Sequence, residues 1–368
     1  MKNHSLIVIF SLLTIAFLGC KKDDGPSIDD NFLNYKIEDI APTKNYTLGA
    51  FYTNFGTSFN PNIKDVPTVG KYSITTAGVL SPAIAQQQIE MVKKAKIDYL
   101  IFSIRSANRA LTQYRTDSTV IASFLASPNF GDVNFALSYS FVTGSFSNTT
   151  TNPIETNAIL LEAFYKDFER LASFMRKANY MKVNGKQLLI IDNAYNLSAN
   201  SNSAVYTEMR RRMSLLGFDL YIVGMQNKWS PPQRYYFRFV DCVDAMYEAQ
   251  MVQTGDVPDR VYLFPQYCDQ NWKYWKQSLK ANNIDFIPSI SPGYDYKILA
   301  PTSLSINVLR DNGNFYKSFC NVAKLNAPDN GLIFIETFNG WTQGTQIEPA
   351  EGYGELYLDI TKQQFKIN

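Results

Sequence analysis

The chain has 368 residues, of which 45% are hydrophobic and 18% are charged, and its formal net charge is +2. This size allows one large core or two ordinary ones, and the near-neutral charge without a basic stripe argues against nucleic acid as a partner. The one histidine, His4, lies in a segment that we expect to be removed, which excludes Ser-His-Asp catalysis, Cys-His catalysis and His-ligated metals. General acid–base work is then left to Asp, Glu, Tyr, Lys and Cys, and we expect neither a cofactor nor a metal.

The first 20 residues have the layout of a secretion signal. Lys2 precedes an apolar run that is too short to cross a bilayer, and the run ends in Leu18-Gly19-Cys20. This ending resembles a bacterial lipobox, in which the cysteine becomes the lipidated first residue; the alternative is an ordinary signal peptide with a chance cysteine. Lys21-Lys22-Asp23-Asp24 resembles the export signal of Bacteroidetes surface lipoproteins. We therefore predict lipidation at Cys20 and an outer-membrane protein that is lipid-anchored and exposed at the cell surface.

The rest of the chain divides into a tether and one domain. Residues 21–45 are polar and lack periodicity, which is typical of a flexible tether, and we assign residues 46–368 to the folded domain. Three cysteines remain there, and an odd number at wide spacing is not a disulfide framework. We expect Cys242, Cys268 and Cys320 to be small buried hydrophobic residues.

Strands and helices alternate from residue 46 onward. Apolar runs predict strands at 46–52, 98–104, 134–141, 187–191, 218–225, 240–246, 284–290 and 332–336. Helical spacing predicts helices at 82–96, 155–179, 203–216, 266–280, 303–324 and from 351 onward. Eight such strands in roughly 320 residues fit an α/β fold, a single (β/α)8 TIM barrel. An open doubly wound sheet is the alternative, but Gly56 and Gly70 do not form the glycine-rich turn that it usually carries.

In such a barrel the carboxyl ends of the strands converge on one face, where a site is expected. The side chains at these ends are Tyr52, Asn54, Arg105, Tyr139, Asp192, Tyr195, Gln226, Glu248, Tyr294, Asp295, Glu336, Asn339 and Trp341. Any one of them can be a structural polar group. Together they favour a sugar-binding cleft, because amides and carboxylates bind hydroxyls and aromatic rings pack on apolar sugar faces.

Four segments carry a resemblance to a known family. The longest is Phe338-Asn339-Gly340-Trp341-Thr342-Gln343-Gly344-Thr345-Gln346-Ile347-Glu348-Pro349. It resembles the Phe-Asn-Glu-Trp-His-Glu-Gly-Thr-Gln-Ile-Glu-Pro motif of glycoside hydrolase family 99. Shorter segments at 65–73, 184–192 and 291–295 resemble the family's Pro-x-x-Gly-x-Tyr-Ser, Gly-Lys-Pro and Pro-Gly-Tyr segments, and they stand in family order.

The resemblance implies a (β/α)8 barrel related to endo-acting enzymes that cleave α-mannosidic linkages, including those of fungal α-mannan and N-glycans. In that family one glutamate of the motif activates the sugar's own 2-hydroxyl, and the other is general acid and then base. These two positions fall on Gly340 and Gln343, and the family's histidine falls on Thr342. Neither glycine nor a glutamine amide exchanges a proton near neutral pH, and each lost acid–base group typically removes a factor of about 10²–10⁴.

Two functions follow from this substitution. The first is a surface lipoprotein that binds α-mannan-type glycans but is catalytically degenerate, in which Gln343 still donates to a glycosidic oxygen. The second is an active endo-α-glycosidase with relocated carboxylates, for which Glu336 is the first candidate, since two carboxylates roughly 5–10 Å apart form a glycosidase pair. An ion pair between Glu336 and Arg105 or a lysine is the structural alternative, and an adhesin without sugar affinity is a third reading.

The candidate residues are therefore of two kinds. The predicted catalytic positions are Glu336 and Gln343, with Gly340 beside them. The predicted substrate-binding residues are Tyr52, Asp192, Tyr195, Glu248, Tyr294, Asp295, Asn339, Trp341, Gln346 and Glu348.

Overall fold

The computed structural model describes residues 35–54, 61–72, 80–140, 151–226, 233–248, 263–302 and 307–367. The predicted signal segment, Cys20 and most of the predicted tether lie outside these residues, as does Gly56. The compact unit spans Ile37–Asn368, so it begins before residue 46. Its first residues are held against a helix, because Ile40 donates its backbone N–H to Asn321 Oδ1 at 3.1 Å and Lys324 Nζ donates to the Ile40 carbonyl.

Eight strands and seven α-helices make up the part of the barrel that the structure describes. The strands are β1 Thr47–Tyr52, β2 Tyr99–Arg105, β3 Asn134–Ser140, β4 Lys186–Asp192, β5 Leu220–Gln226, β6 Ala245–Glu248, β7 in two parts, Asp285–Ile287 and Ser289–Ile290, and β8 Leu332–Ile335. The helices are α1 Pro82–Lys94, α2 Leu111–Leu125, α3 Ala158–Met175, α4 Asn202–Leu215, α5 Phe264–Lys280, α6 Asn314–Asn326 and α7 Leu356–Phe365. Among these residues no helix is long and apolar enough to cross a membrane.

The eight strands are parallel and close into a barrel, as predicted. β1 lies between β2 and β8, and the order continues through β3, β4, β5 and β6 to the first part of β7. β7 closes the ring because Asp285–Ile287 pairs with β6 while Ser289–Ile290 pairs with β8. Pro288, which has no N–H to donate, stands between the two parts, and its carbonyl accepts from the Phe334 N–H at 2.9 Å.

Alternation along each strand divides the core into two layers. On β2, Tyr99 and Ile101 belong to the cluster inside the barrel, whereas Leu100 and Phe102 belong to the cluster between strands and helices. The inner layer is so tight that a Cβ on Gly49 would lie 2.4 Å from the Tyr99 ring. The barrel is therefore filled at its centre, and space for a ligand remains only towards its ends.

The structure differs from the prediction at three elements. Helix α2 was not predicted, because its threonine and serine hydroxyls bond to carbonyls one turn back, as Thr119 does to Arg115 at 2.8 Å, and such residues lower helix propensity. The strand predicted at 240–246 begins only at Ala245, since residues 233–238 form a 3₁₀ helix. The helix predicted at 303–324 begins at Asn314, after a left-handed Asn312, and residues 303–306 lie outside the described ranges.

Candidate functional site

A cavity of about 400 Å³, which we call the cleft, opens at the carboxyl ends of the barrel strands. Ten of its lining residues come from the inner faces of strands or the first residues after them: Phe51, Thr53, Ser103, Arg105, Ser138, Ser140, Asp192, Met225, Tyr247 and Glu336. Gln343 reaches it from the loop that follows β8. Of the predicted catalytic and binding residues, the cleft therefore brings together Asp192, Glu336 and Gln343, and Tyr52 also borders it.

Two carboxyl groups share the cleft. Burial raises the pKa of the Asp192 carboxyl to about 6, although hydrogen bonds from Ser140 and from the Asn193 backbone oppose the shift. Glu336 ends β8, and its backbone N–H donates to the Ile290 carbonyl at 2.8 Å. Burial, and then the charges of Asp192 and Glu336, raise the pKa of the Tyr247 hydroxyl, which places both carboxylates near this tyrosine. A carboxyl group that titrates near pH 6 in a cleft is suited to acid–base work.

Arg105 provides the cleft with a fixed positive charge. Its Nε donates to Asp117 Oδ2 at 2.8 Å and its Nη2 to Asp117 Oδ1 at 2.5 Å, which is a bidentate pair. Asp117 is buried on α2 and also accepts from Asn54 Nδ2 at 2.9 Å. The Arg105 side chain is about one-third exposed and borders the cleft, so Asp117 orients it without burying it completely.

Alternation along the strands turns several predicted site residues away from the cleft. The Tyr52 hydroxyl donates to Gln88 on α1 at 2.9 Å, and its ring packs among core aromatics, although the residue also borders the cavity. Glu248 accepts from Trp272 Nε1 on α5 at 3.0 Å, and burial raises its pKa to about 8. Tyr195 lies in the 3₁₀ helix Ala194–Asn196 after β4 and donates to Asn193 Oδ1 at 3.0 Å; it does not itself line the cleft. The sequence analysis grouped these side chains in one cleft because it selected residues at the strand ends without considering which face of the strand each side chain occupies.

Three residues of the family-like motif form a buried network. Glu348 is fully buried and accepts from Tyr72 Oη at 2.7 Å, from Gln88 Nε2 at 2.8 Å and from Trp341 Nε1 at 2.6 Å. Burial nevertheless raises its pKa to about 7. Asn339, also fully buried, accepts from the Thr53 N–H at 2.6 Å and donates to the Thr53 carbonyl at 3.0 Å. The observed contacts of these residues tie the motif loop to β1 and α1.

The surroundings of Gly340 leave no room for a side chain. A Cβ there would lie 2.2 Å from Thr337 Oγ1 and 2.2 Å from Thr345 Oγ1. These two hydroxyls lie 3.2 Å apart, and the Gly340 carbonyl accepts from the backbone N–H of Gln343 at 3.1 Å and of Thr345 at 3.2 Å. The space that a larger residue needs is thus taken by the loop itself.

The remaining predicted binding residues line a second cavity of about 260 Å³ on the other side of the motif loop. Tyr294, Asp295, Trp341 and Gln346 lie along it. The Asp295 N–H donates to the Gln343 carbonyl at 2.8 Å, so the short strand Tyr294–Asp295 supports the loop between the two cavities.

Sequence reasoning missed much of the cleft wall. Phe51, Ser103, Ser138, Ser140 and Tyr247 line it but were not selected. Strand periodicity could have identified such residues, because side chains two positions apart on a strand point to the same face. Ser138, for example, follows the inward-facing Ala136 by two residues. Small hydroxyl residues at such positions widen the mouth of the barrel.

The fold and the cleft define a class of protein. A closed ring of eight parallel strands with surrounding helices, and with a polar cleft at the carboxyl ends of the strands, is the arrangement of (β/α)8 barrel proteins. Residues 241–363 match the family described as glycosyl hydrolase family 99.

Solved structures agree with this class. A protein described as glycoside hydrolase-like is 29% identical, with a TM-score of 0.79 over 92% of this chain and 99% of that one. The family 99 endo-α-mannosidase of Bacteroides thetaiotaomicron, in complex with Bis-Tris-propane, has a TM-score of 0.66 over 88% of this chain and 97% of that one. At 19% identity, the second likeness concerns the fold alone.

Curated relatives match a shorter segment. A human glycoprotein endo-α-1,2-mannosidase-like protein is 38% identical over 98 residues, which are 26% of this chain and 21% of the human protein. The glycoprotein endo-α-1,2-mannosidase of Xenopus laevis is 40% identical over 81 residues, 22% of this chain and 18% of that one. The match therefore spans about a fifth of these relatives. The chain is thus similar to glycoside hydrolase family 99 proteins, and the resemblance drawn from its motifs is confirmed.

Proposed function

We propose that this chain is an outer-membrane surface lipoprotein whose barrel binds α-mannan-type glycans without hydrolysing them. The observation that carries the proposal is the packing around Gly340, where a Cβ would lie 2.2 Å from the hydroxyls of Thr337 and Thr345, so that a glutamate would require these hydroxyls to move. Gln343, at the second catalytic position, borders the cleft but carries an amide that cannot serve as acid or base. The motif loop is thus built without the family's proton-transfer groups.

The cleft retains what glycan binding needs. Its wall combines hydroxyls, the amide of Gln343 and the guanidinium of Arg105, all of which bond to sugar hydroxyls. Phe51 and Tyr247 offer rings for the apolar faces of sugars. The choice of α-mannan rests on the relatives, which are described as endo-α-mannosidases and endo-α-1,2-mannosidase-like proteins.

Anchoring through Cys20 is the second part of the proposal. It is supported by the apolar run that ends in Leu18-Gly19-Cys20 and by the basic and acidic residues that follow. In a Gram-negative host, Cys20→Ala should move the protein from the membrane fraction to the soluble fraction, whereas Ser27→Ala, a control in the tether, should leave it membrane-bound. A Cys20→Ala protein that still sediments with membranes would contradict lipid anchoring at this residue.

A second candidate function, an endo-α-glycosidase with relocated carboxylates, is favoured by one observation. Asp192 and Glu336 border the same cleft, and the pKa of Asp192 is raised to about 6. In this reading the protonated Asp192 donates a proton to the leaving oxygen, and Glu336 acts as base or nucleophile. Glu248 does not serve here, since it points to Trp272 on the outer side of the barrel.

One experiment separates the two functions. The chain without its first 20 residues is incubated with α-mannan, and both the affinity and the release of reducing ends are measured. Micromolar binding without product supports the binding protein. Product that is lost in Glu336→Gln and Asp192→Asn, but kept in the control Glu351→Gln at an exposed position, supports the relocated pair. The absence of both binding and product would overturn both functions.

A further inference from the structure

We propose that the second cavity is a separate binding pocket for one neutral, hexose-sized sugar unit or polyol, distinct from the cleft. The proposal rests on the proposed glycan binding only for the choice of sugar. The pocket has a volume of about 260 Å³ and shares no lining residue with the cleft. Trp341 and Gly344 border the pocket while Gln343 borders the cleft, so the motif loop separates the two sites.

Two buried polar atoms at this pocket have no partner within the described part of the chain. One is Oε1 of Gln346, whose side chain is 3% exposed, and the other is Nη1 of Arg310. An unpaired buried acceptor or donor is costly, so such atoms are rare unless a ligand or a water satisfies them. The two residues are in contact, because Arg310 Nη2 donates to the backbone carbonyl of Gln346 at 2.8 Å.

The guanidinium of Arg310 is held in place before any ligand arrives. Its Nη2 also donates to the Gly344 carbonyl at 3.0 Å. Its plane stacks on Tyr353 and Tyr357, whose ring centroids lie 5.1 Å and 4.6 Å from Cζ. Because these contacts already order the side chain, Nη1 can bind a ligand at little further entropic cost.

The pocket contains groups of both charges as well as an unpaired acceptor and an unpaired donor, which favours a neutral ligand over a charged one. An anion would meet the Gln346 oxygen and the carboxylates of Asp65 and Asp295, while a cation would meet Arg310 and Lys64. A hydroxyl group both donates and accepts, so the hydroxyls of one ligand suit both the acceptor Oε1 and the donor Nη1. Adjacent hydroxyls on a sugar ring do so with one rigid ligand, and the rings that border the pocket can cover its apolar face.

The test uses the full chain in a detergent that contains no sugar, labelled with ¹⁵N at tryptophan. Methyl α-mannopyranoside is the probe, and the Trp341 indole signal, assigned with Trp341→Phe, is the readout. We expect saturable shifts in the wild-type protein and in Gln343→Leu, which alters the cleft. Gln346→Leu is the matched change in the pocket and should weaken binding by about tenfold or more. Inorganic phosphate should shift nothing, in keeping with a neutral ligand.

Three results would overturn the proposal: no Trp341 shift with the sugar, equal binding by Gln346→Leu, or saturation by phosphate. Each would mean that the pocket holds water or a different ligand. If Gln346→Leu does not fold, Leu309→Trp blocks the rim instead, since Leu309 borders the pocket and is 70% exposed. Failure of the pocket is distinguishable from failure of the cleft, because α-mannan affinity should fall in Asp192→Asn while the Trp341 response stays intact.

Discussion

Gly340 is the residue whose replacement is most informative. Because an added methyl would lie 2.2 Å from each of Thr337 Oγ1 and Thr345 Oγ1, Gly340→Ala should lower the free energy of unfolding by about 1–3 kcal/mol. In the background Thr337→Ala with Thr345→Ala, the same substitution should cost much less. Urea denaturation of the four proteins, treated as a double-mutant cycle, measures this coupling.

Gly131 provides the control for that substitution. It lies in a 3₁₀ helix at the surface, and a Cβ there meets no atom within 4 Å. Gly131→Ala should therefore be neutral or stabilise the protein by up to about 1 kcal/mol. If Gly340→Ala is equally harmless, the loop has room for a larger residue, and the main support for a degenerate site is lost.

The same packing predicts how activity can be restored. Gly340→Glu with Gln343→Glu alone should give little product, because the new glutamate displaces Thr337 and Thr345. Adding Thr337→Ala and Thr345→Ala should raise the release of reducing ends from α-mannan above that of the wild-type protein. The chain with the two threonine substitutions alone is the control. Equal activity of the double and quadruple variants would show that the threonines do not obstruct position 340.

At the scale of strands and helices, the sequence predicts the barrel, but it does not predict whether each strand side chain points into the barrel or towards the helices. Apolar runs predicted the strands because a parallel strand covered on both sides is apolar throughout. Because both faces of such a strand are apolar, the hydrophobic pattern does not distinguish the inner face from the outer face. Glu248 and Tyr52 were therefore grouped with Asp192. Counting by two from an inward residue such as Leu188 assigns Asp192 correctly to the interior.

The partners of Glu348 could not be predicted, because they are remote in the chain. Tyr72 is 276 residues away and Gln88 is 260 residues away, so no local pattern connects them with the motif. Only closure of the barrel, which sets the last strand beside the first, brings these side chains together. The motif at 338–349 therefore contains residues, such as Glu348, that fix the position of the loop and do not line the cleft.

This network predicts a compensating swap. Glu348→Gln should cost about 1–3 kcal/mol, because its new amide N–H faces the Gln88 N–H that formerly donated to it. Adding Gln88→Glu restores an acceptor for that amide and keeps one for the Tyr52 hydroxyl. The double variant should therefore regain most of the loss in urea denaturation at pH 8. Additive losses would mean that the two side chains do not bond.

At the scale of the whole molecule, burial of acidic groups sets how stability depends on pH. The carboxyl groups of Asp192, Glu248 and Glu348 have pKa values of about 6, 8 and 7 in the folded protein. In an unfolded chain such groups titrate near pH 4. The unfolded state thus loses these protons first, so their contribution to stability is full below about pH 4 and is lost as pH rises to about 8.

An opposite contribution acts at low pH. Hydrogen bonds from Arg211 and Arg212 lower the pKa of the half-buried Glu208 to about 2, so the stability from this cluster is lost as pH falls below about 4. The two trends together predict that the free energy of unfolding is greatest at about pH 4, where neither contribution has been lost to a large extent. Urea denaturation at intervals between pH 3 and about pH 9 measures the profile.

Glu248→Gln measures the share that Glu248 has in the decline of stability above about pH 4. Both donors to Glu248, Trp272 Nε1 and Asn271 Nδ2, reach the same oxygen, so a glutamine can keep both bonds while losing the titrating proton. The variant should therefore remove on the order of 3 kcal/mol of the loss of stability between about pH 5 and pH 8. Glu208→Gln is the control, since it should change only the acid side of the profile. A Glu248→Gln profile as steep as that of the wild-type protein would mean that Glu248 is ionised in the folded state at neutral pH, and that a charge is tolerated on the outer side of the barrel.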